Sequence, residues 1–185
     1  MSKQTSQKRY TRKELSLLEP VEVYKLLLNK SIKCFPMRFF HDDIDNFNSK
    51  QCLKYLIEEH LKLSDEDILQ KINYNLFTTY KLSGMLAIKY DDSPFKAIND
   101  IYPNKFREWQ FGNVPRNFWN DENTKEAIQW LLHTKLKVNT TEDINKINKK
   151  TFKDHGLNSL ISYKFNGSYK QALDFIKEHN KFFVT

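Results

Sequence analysis

The chain has 185 residues, with 30 Lys+Arg against 23 Asp+Glu, a net charge of +7, 39% hydrophobic and 14% aromatic residues. That is material for one domain or two small ones with a core, and it excludes wholesale disorder. Four Gly and five Pro exclude a collagen, a Gly-rich phosphate-binding fold and a turn-rich all-β chain, while no apolar run approaches the roughly 20 residues of a membrane span.

The N-terminus, MSKQTSQKRYTRKE, is charged with no apolar core behind it, so it does not read as a secretory signal. Cys34 and Cys52 form no CxxC and are too few for a disulfide scaffold. The expectation is a soluble, cytoplasmic protein with no membrane partner. Residues 19–28, from Glu19-Pro20 to Leu28, predict a helix, a cap or remnant of an earlier unit. With the basic arm before it, this makes a first segment, 1–34.

A first helical repeat is expected over 35–106. Leu53, Leu56, Ile57 and Leu61 fit an i, i+3, i+4 stripe. Ser64-Asp65-Glu66-Asp67 carries a hydroxyl and an acid at capping-box spacing and starts a second helix. A third is expected near 76–89, and Ser93-Pro94 starts a fourth, Pro being suited to the first helical position. The aromatic linker from Tyr102 to Asn113 is expected to pack between repeats rather than swing.

Residues 107–185 predict a second repeat. Shifting the chain by 75 residues lays 52–106 on 127–181 with 12 identities in 55 positions and no gap, among them Leu56/Leu131, Phe77/Phe152, Leu82/Leu157, Ser93/Ser168 and Ala97/Ala172. Chance gives about four in so Lys- and Asn-rich a chain. Phe35-Pro36-Met37-Arg38-Phe39-Phe40 echoes Val114-Pro115-Arg116-Asn117-Phe118-Trp119 at an offset of 79, so the first copy holds four extra residues in HDDIDNFNSK. Thr140-Thr141-Glu142-Asp143 repeats the capping pattern, and Asn166-Gly167 ends the helix near 157–165 because Gly tolerates positive φ. The fold class expected is all-α: two tandem helical repeats, helix-turn-helix-like, with an N-terminal helix and a basic arm.

Charge is uneven along the chain. Residues 1–34 hold 8 basic and 3 acidic groups, 35–106 hold 9 and 11, and 107–185 hold 13 and 9. Lys8, Arg9, Arg12 and Lys13 stand in a flexible arm without an acid, suited to phosphate contacts through counterion release. The second copy adds Lys146, Lys149, Lys150, Lys153, Lys164 and Lys170, where the first is often neutral or acidic. Its tail has helix-turn-helix character: Thr151 to His155, then Gly156 at the turn, then Leu157 to Phe165. Leu157, Leu160 and Ile161 face inward there, leaving Asn158, Ser159, Ser162 and Lys164 outward for base edges or phosphates. Lys81 replaces Gly156 in the first copy, so the turn is expected to be degraded there.

The run from Phe152 to Leu173, with Gly156-Leu157, Gly167-Ser168-Tyr169 and Ala172-Leu173, resembles helical repeats associated with homing endonucleases and related phage proteins. The larger unit, Y-P-x-x-F-x-x-W-x-F-x-x-V-P-x-x-F-W from Tyr102 to Trp119, is similar to a repeat family of unknown function in Gram-positive bacteria and their phages. The resemblance spans roughly 35–182 and implies a small DNA-binding-type helical repeat with no catalytic centre of its own. The first copy departs from it, with Lys81-Leu82 and Asp92-Ser93 at the Gly-Leu and Gly-Ser positions.

No catalytic constellation appears. The five histidines are scattered, with no HExxH and no zinc-spaced Cys/His pair. His41-Asp42-Asp43-Ile44-Asp45 is the densest potential metal cluster but reads as a solvated loop, so no metal and no cofactor are expected. No acid or Gln is followed two positions later by Lys, and there is no Gly-rich phosphate loop and no G-x-S-x-G. Trp109, Phe111, Phe118, Trp119 and Trp130 are of a type that stacks on bases, but at this spacing they read as core.

The sequence therefore points to a non-catalytic DNA-binding protein, a phage or bacterial regulator or accessory factor, not an enzyme. Lys8, Arg9, Arg12 and Lys13 would neutralise phosphates, and Asn158, Ser162, Lys164 and Lys170 would position the second copy on a groove. The alternative is a protein-binding module, an adaptor or inhibitor of a host enzyme, using the inter-repeat groove and the acidic first copy, with a host or phage protein as partner. A metal-dependent nuclease acting through the His41–Asp45 loop is a third reading.

Overall fold

Short polar side chains start most of the helices, and apolar side chains three and four apart bury one face of the longer ones. The computed structural model describes residues 9–112, 114–138 and 140–179. Among these residues helices are joined by turns and there is no strand, so the protein is all-α. The chain divides into two compact units, Met1–Phe106 and Arg107–Thr185.

In the first unit, α1 (Arg12–Leu15) is a single turn. The Thr11 hydroxyl accepts from the Glu14 N–H at 3.2 Å, and the Glu14 carboxylate accepts from the Thr11 N–H at 2.8 Å. This corrects the expectation of a wholly flexible arm: the two-way cap satisfies free donors and fixes the turn that carries Arg12 and Lys13. Helix α2 (Pro20–Leu28) opens on proline, whose missing N–H costs nothing at that position. Its Tyr24 is fully buried, and the hydroxyl donates to the Tyr80 carbonyl at 2.8 Å, which fixes α2 to a turn 56 residues further on. Burial pushes the Tyr24 phenol far above its ordinary pKa.

Helix α3 (Phe47–Lys54) continues into a π-helical segment, Tyr55–His60, that ends at Lys62 with φ 52°. Next come α4 (Asp65–Lys71), α5 (Tyr74–Thr79), α6 (Ser83–Tyr90) and α7 (Pro94–Ile101). The single helix expected over 76–89 is two helices. Lys81 takes φ 64° between them, with the Leu82 N–H donating to the Phe77 carbonyl at 2.7 Å. A lysine in the left-handed region costs about 1–2 kcal/mol, and the fully buried Phe77, Leu82, Met85 and Leu86 on either side hold the turn closed against that cost. The first copy's turn is therefore formed, not degraded.

The second unit holds α8 (Asp121–Gln129), running into a π-helical segment Trp130–Leu136, then α9 (Thr141–Asn145), α10 (Lys149–Asp154), α11 (Asn158–Lys164) and α12 (Tyr169–Glu178). Helices α10, α11 and α12 begin 75 residues after α5, α6 and α7. Left-handed residues recur at the same spacing: Lys62 and Lys137, Lys81 and Gly156, Asp91-Asp92 and Asn166-Gly167. At the offset of 79, Arg38 (φ 64°) answers Asn117 (φ 65°). The register slips once. Ser64 caps α4, but its counterpart as a cap is Thr140, 76 residues on, with the Asp143 N–H donating to its hydroxyl at 3.3 Å. The ungapped alignment therefore misses one extra residue ahead of α9.

The aromatic linker is shared out. Phe106, which ends the first unit, is buried, while Trp109 belongs to the second unit's core with Trp119 and Trp130. Trp109 lies 6.1 Å from Trp119 and 5.7 Å from Trp130, ring centre to ring centre.

Candidate nucleic-acid interface

Helices α10 and α11 carry the strongest candidate face. The Asn148 side chain starts α10 by accepting from the Lys150 N–H at 2.9 Å and the Thr151 N–H at 3.3 Å. Phe152 is the buried anchor of that short helix. With Phe152 inward, Lys149, Lys150 and Lys153 are exposed, and none has an ion-pair partner among the described residues. Lys146, just upstream, is bound to Asp143 at 2.7 Å. The equivalent helix of the first unit, α5, is YNLFTT and carries no charge.

The turn between α10 and α11 requires its glycine twice over. Gly156 has φ 77°, and a Cβ there would stand 3.3 Å from the Gln110 Cα and 3.5 Å from the Trp109 carbonyl oxygen. The 3₁₀ segment Glu108–Phe111 thus runs directly against the turn. Beside it, the His155 ring meets the Trp130 edge at 6.2 Å. Burial, then the nearby Lys135 cation, holds the His155 imidazole below its ordinary pKa, with Asp154 opposing.

On α11, Asn158 and Ser162 are exposed one helical turn apart, as the sequence indicates. Two other residues differ from expectation. The Ser159 hydroxyl is turned inward, buried and without a hydrogen-bond partner among the described residues. Lys164 is bound to Asp121 of α8 at 2.5 Å and is only 28% exposed in its side chain, because Leu160, Ile161 and Phe165 draw that end of the helix against the core. The Lys164 hydrogen bond holds the Asp121 carboxyl below the usual carboxylate range. Lys170 is exposed near the start of α12, whose cap Ser168 accepts from the Gln171 N–H at 3.3 Å.

The structure thus places Asn158, Ser162, Lys164 and Lys170 on the second unit. Arg9, Arg12 and Lys13 are exposed on the first unit, and Lys8 lies outside the described residues. Two neighbours escaped the sequence reading, Arg116 and Tyr163. Both line a groove of about 630 Å³ with Pro115, Phe118 and Trp119. Comparing the copies gives the signal that finds them, since Arg116 stands where the first copy has Met37, and Tyr163 where it has Ile88.

In the His41–Asp45 loop, His41, Asp42, Ile44 and Asp45 are exposed as a solvated loop would have them, and Asp43 alone departs. Asp43 is buried, and its carboxylate accepts from the Asn48 N–H (2.7 Å), the Ser49 N–H (2.9 Å) and the Ser49 hydroxyl (2.6 Å). It serves as the cap of α3. Asp42 is held by Arg38 at distances of 2.7–2.9 Å. No group of three or more His, Cys, Asp or Glu able to hold a metal ion occurs among the described residues. Much of the first unit's acidity is likewise structural. Asp100 accepts from Asn46 (3.0 Å) and Tyr90 (2.9 Å) and pairs with Lys50 (3.1 Å). Burial pushes that carboxyl up, but the three bonds outweigh it and hold it below its ordinary value. The second unit puts Phe165 and Phe175 at the places of Tyr90 and Asp100, with ring centres 5.6 Å apart.

The first unit also exposes apolar surface. Met37 (73% exposed) and Phe47 (51%) line a groove with Leu15 and Leu18, and Leu17 beside them is 78% exposed. No helix among the described residues is long and apolar enough to cross a membrane.

A model of a protein family of unknown function, DUF4046, matches residues 21–107, which lie almost wholly in the first unit. No curated protein and no solved structure matches the chain.

Proposed function

We propose that the protein is a non-catalytic DNA-binding factor, a phage or bacterial regulator or accessory protein, whose second unit presents α10 and α11 to the nucleic acid. One observation carries this reading: three exposed lysines without ion-pair partners among the described residues sit on α10, where the equivalent helix of the first unit is uncharged. Cations on a rigid, capped helix neutralise phosphates and release counterions. Asn158 and Ser162, across the glycine turn, are of types that reach base edges, and Lys170 adds a phosphate contact. Lys8, Arg9, Arg12 and Lys13 supply further phosphate contacts from the first unit.

Fluorescence anisotropy on a labelled oligonucleotide, repeated over a salt series, tests the proposal. The expected result is binding that weakens steeply with salt, and weakens further in the Lys149→Gln, Lys150→Gln, Lys153→Gln triple variant. Binding indifferent to salt, or a triple variant that binds like the parent, overturns it.

The exposed apolar side chains at the first unit's groove, Leu17, Met37 and Phe47, favour a second reading, a protein-binding module, because exposed apolar surface marks interaction sites. Tight, salt-tolerant capture of one protein, abolished by Met37→Lys, with no oligonucleotide binding at low salt, selects this reading over the first.

A further inference from the structure

The polar face of α11 does not stop at Ser162. Tyr163 follows it, 77% exposed, with no ring contact and no hydroxyl hydrogen bond among the described residues. Exposing so large an aromatic ring to water forgoes the stabilisation its burial would bring, which makes its position informative. It borders the groove whose other wall is Pro115, Arg116, Phe118 and Trp119. That wall is stiff: Phe118 and Trp119 meet edge to face at 4.9 Å, and Trp119 is backed by Trp109 at 6.1 Å. Arg116 is exposed at the rim with no ion-pair partner among the described residues.

The first unit shows what the same scaffold does without this pair. At the place of Arg116 it has Met37, and at the place of Tyr163 it has Ile88. The arginine it does carry in that motif, Arg38, is paired with Asp42. The first unit's groove at this motif has Met37 and Phe47 beside an arginine already paired with Asp42, whereas the second unit's combines a guanidinium without an ion-pair partner among the described residues with an unstacked aromatic ring. A cation beside a planar ring complements a ligand that is anionic at one end and aromatic at the other, and a nucleotide with an unpaired base has that chemistry. A base locked inside a duplex offers no free face to Tyr163.

Resting on the nucleic-acid reading above, we propose that this groove holds an unpaired nucleotide, with its base stacked on Tyr163 and its phosphate at Arg116. The protein then prefers single-stranded or locally opened DNA to an intact duplex. The α10 lysines bind phosphates of either form, and the groove supplies the discrimination.

The test uses the full chain and two labelled probes, a short oligothymidylate and a duplex of the same length, at low salt. The single strand is expected to bind more tightly. Tyr163→Ala is expected to weaken single-strand binding about tenfold, the usual effect of removing one base-stacking ring, while leaving duplex binding unchanged. Tyr163→Phe keeps the ring and retains affinity, and Arg116→Gln weakens single-strand binding more than duplex binding. Tyr163 and Arg116 are both exposed, so the variants keep the core intact. Equal binding of the two probes, with Tyr163→Ala silent on both, overturns the groove proposal while the α10 reading stands. Failure of the parent to bind either probe overturns both.

Discussion

Two buried hydroxyls, 75 residues apart, meet different surroundings in the two units. Ser49 and Thr124 are both fully buried, on α3 and α8. The Ser49 hydroxyl donates to Asp43 at 2.6 Å; the Thr124 hydroxyl has no partner among the described residues. The difference traces to the four extra residues of the first copy, which bring a carboxylate over the start of α3. A buried polar group without a partner costs about 1–3 kcal/mol. Thr124→Val, which exchanges a hydroxyl for a methyl at nearly constant shape, is therefore expected to stabilise the protein by about 1 kcal/mol. Asp43→Ala removes a cap and orphans Ser49, and is expected to destabilise by about 2–3 kcal/mol. Urea unfolding of the two variants reads both signs, and a Thr124→Val protein less stable than the parent would show that its hydroxyl is paired after all.

At the scale of elements, the legible features were those written in local chemistry. Ser64 with Asp67, Thr140 with Asp143, Ser93-Pro94, Ser168 and Asn166-Gly167 each announced a helix start or stop, because a hydroxyl at the right spacing or a glycine at positive φ has few other uses. The break at Lys81 was hidden, since lysine gives no signal for a left-handed residue, and only the packing of Phe77 and Leu82 enforces it. The burial of Asp43 was hidden for a similar reason: in sequence an acid in an acidic loop looks solvated, and its donors lie five and six residues away. Of the candidate interface, the α10 lysines and the Asn158/Ser162 face were readable, whereas the Lys164–Asp121 pair joins helices 43 residues apart and was not. The turn between α10 and α11 yields a pH dependence. The folded protein holds the His155 pKa down, chiefly by burial and then by Lys135. As pH falls through the unfolded-state value of about 6.5, the unfolded chain takes up the proton first. His155 therefore contributes its full stability above that pH and loses it on acidification below it. His155→Gln is expected to flatten the fall in unfolding midpoint between about pH 7 and pH 5. An unchanged slope would place the acid sensitivity elsewhere.

At the scale of the molecule, charge is the property that separates the two halves. Several of the first unit's acids are engaged by its own fold, Asp43 in the cap, Asp100 in its cluster and Asp42, Asp65, Asp67 and Asp91 in ion pairs, whereas the second unit's α10 lysines are left to solvent. The basic N-terminus adds a second cationic element on the first unit, and its part in binding is separable from that of α10. Removing one cation from a phosphate lowers the steepness of log affinity against log salt by about 0.9 on duplex DNA. Replacing Lys149, Lys150 and Lys153 by Gln is then expected to lower the slope by up to about 2.7, and replacing Lys8, Arg9, Arg12 and Lys13 by up to about 3.6. The two sets lie on different units and share no ion pair among the described residues, so their effects on the logarithm of affinity are expected to add. Salt titrations of the parent, the two variants and their combination read this directly. A slope that drops with the α10 set but not with the N-terminal set would make the basic terminus a solubilising segment and confine recognition to the second unit. A slope unmoved by the α10 set would remove the physical basis for assigning nucleic acid to this fold.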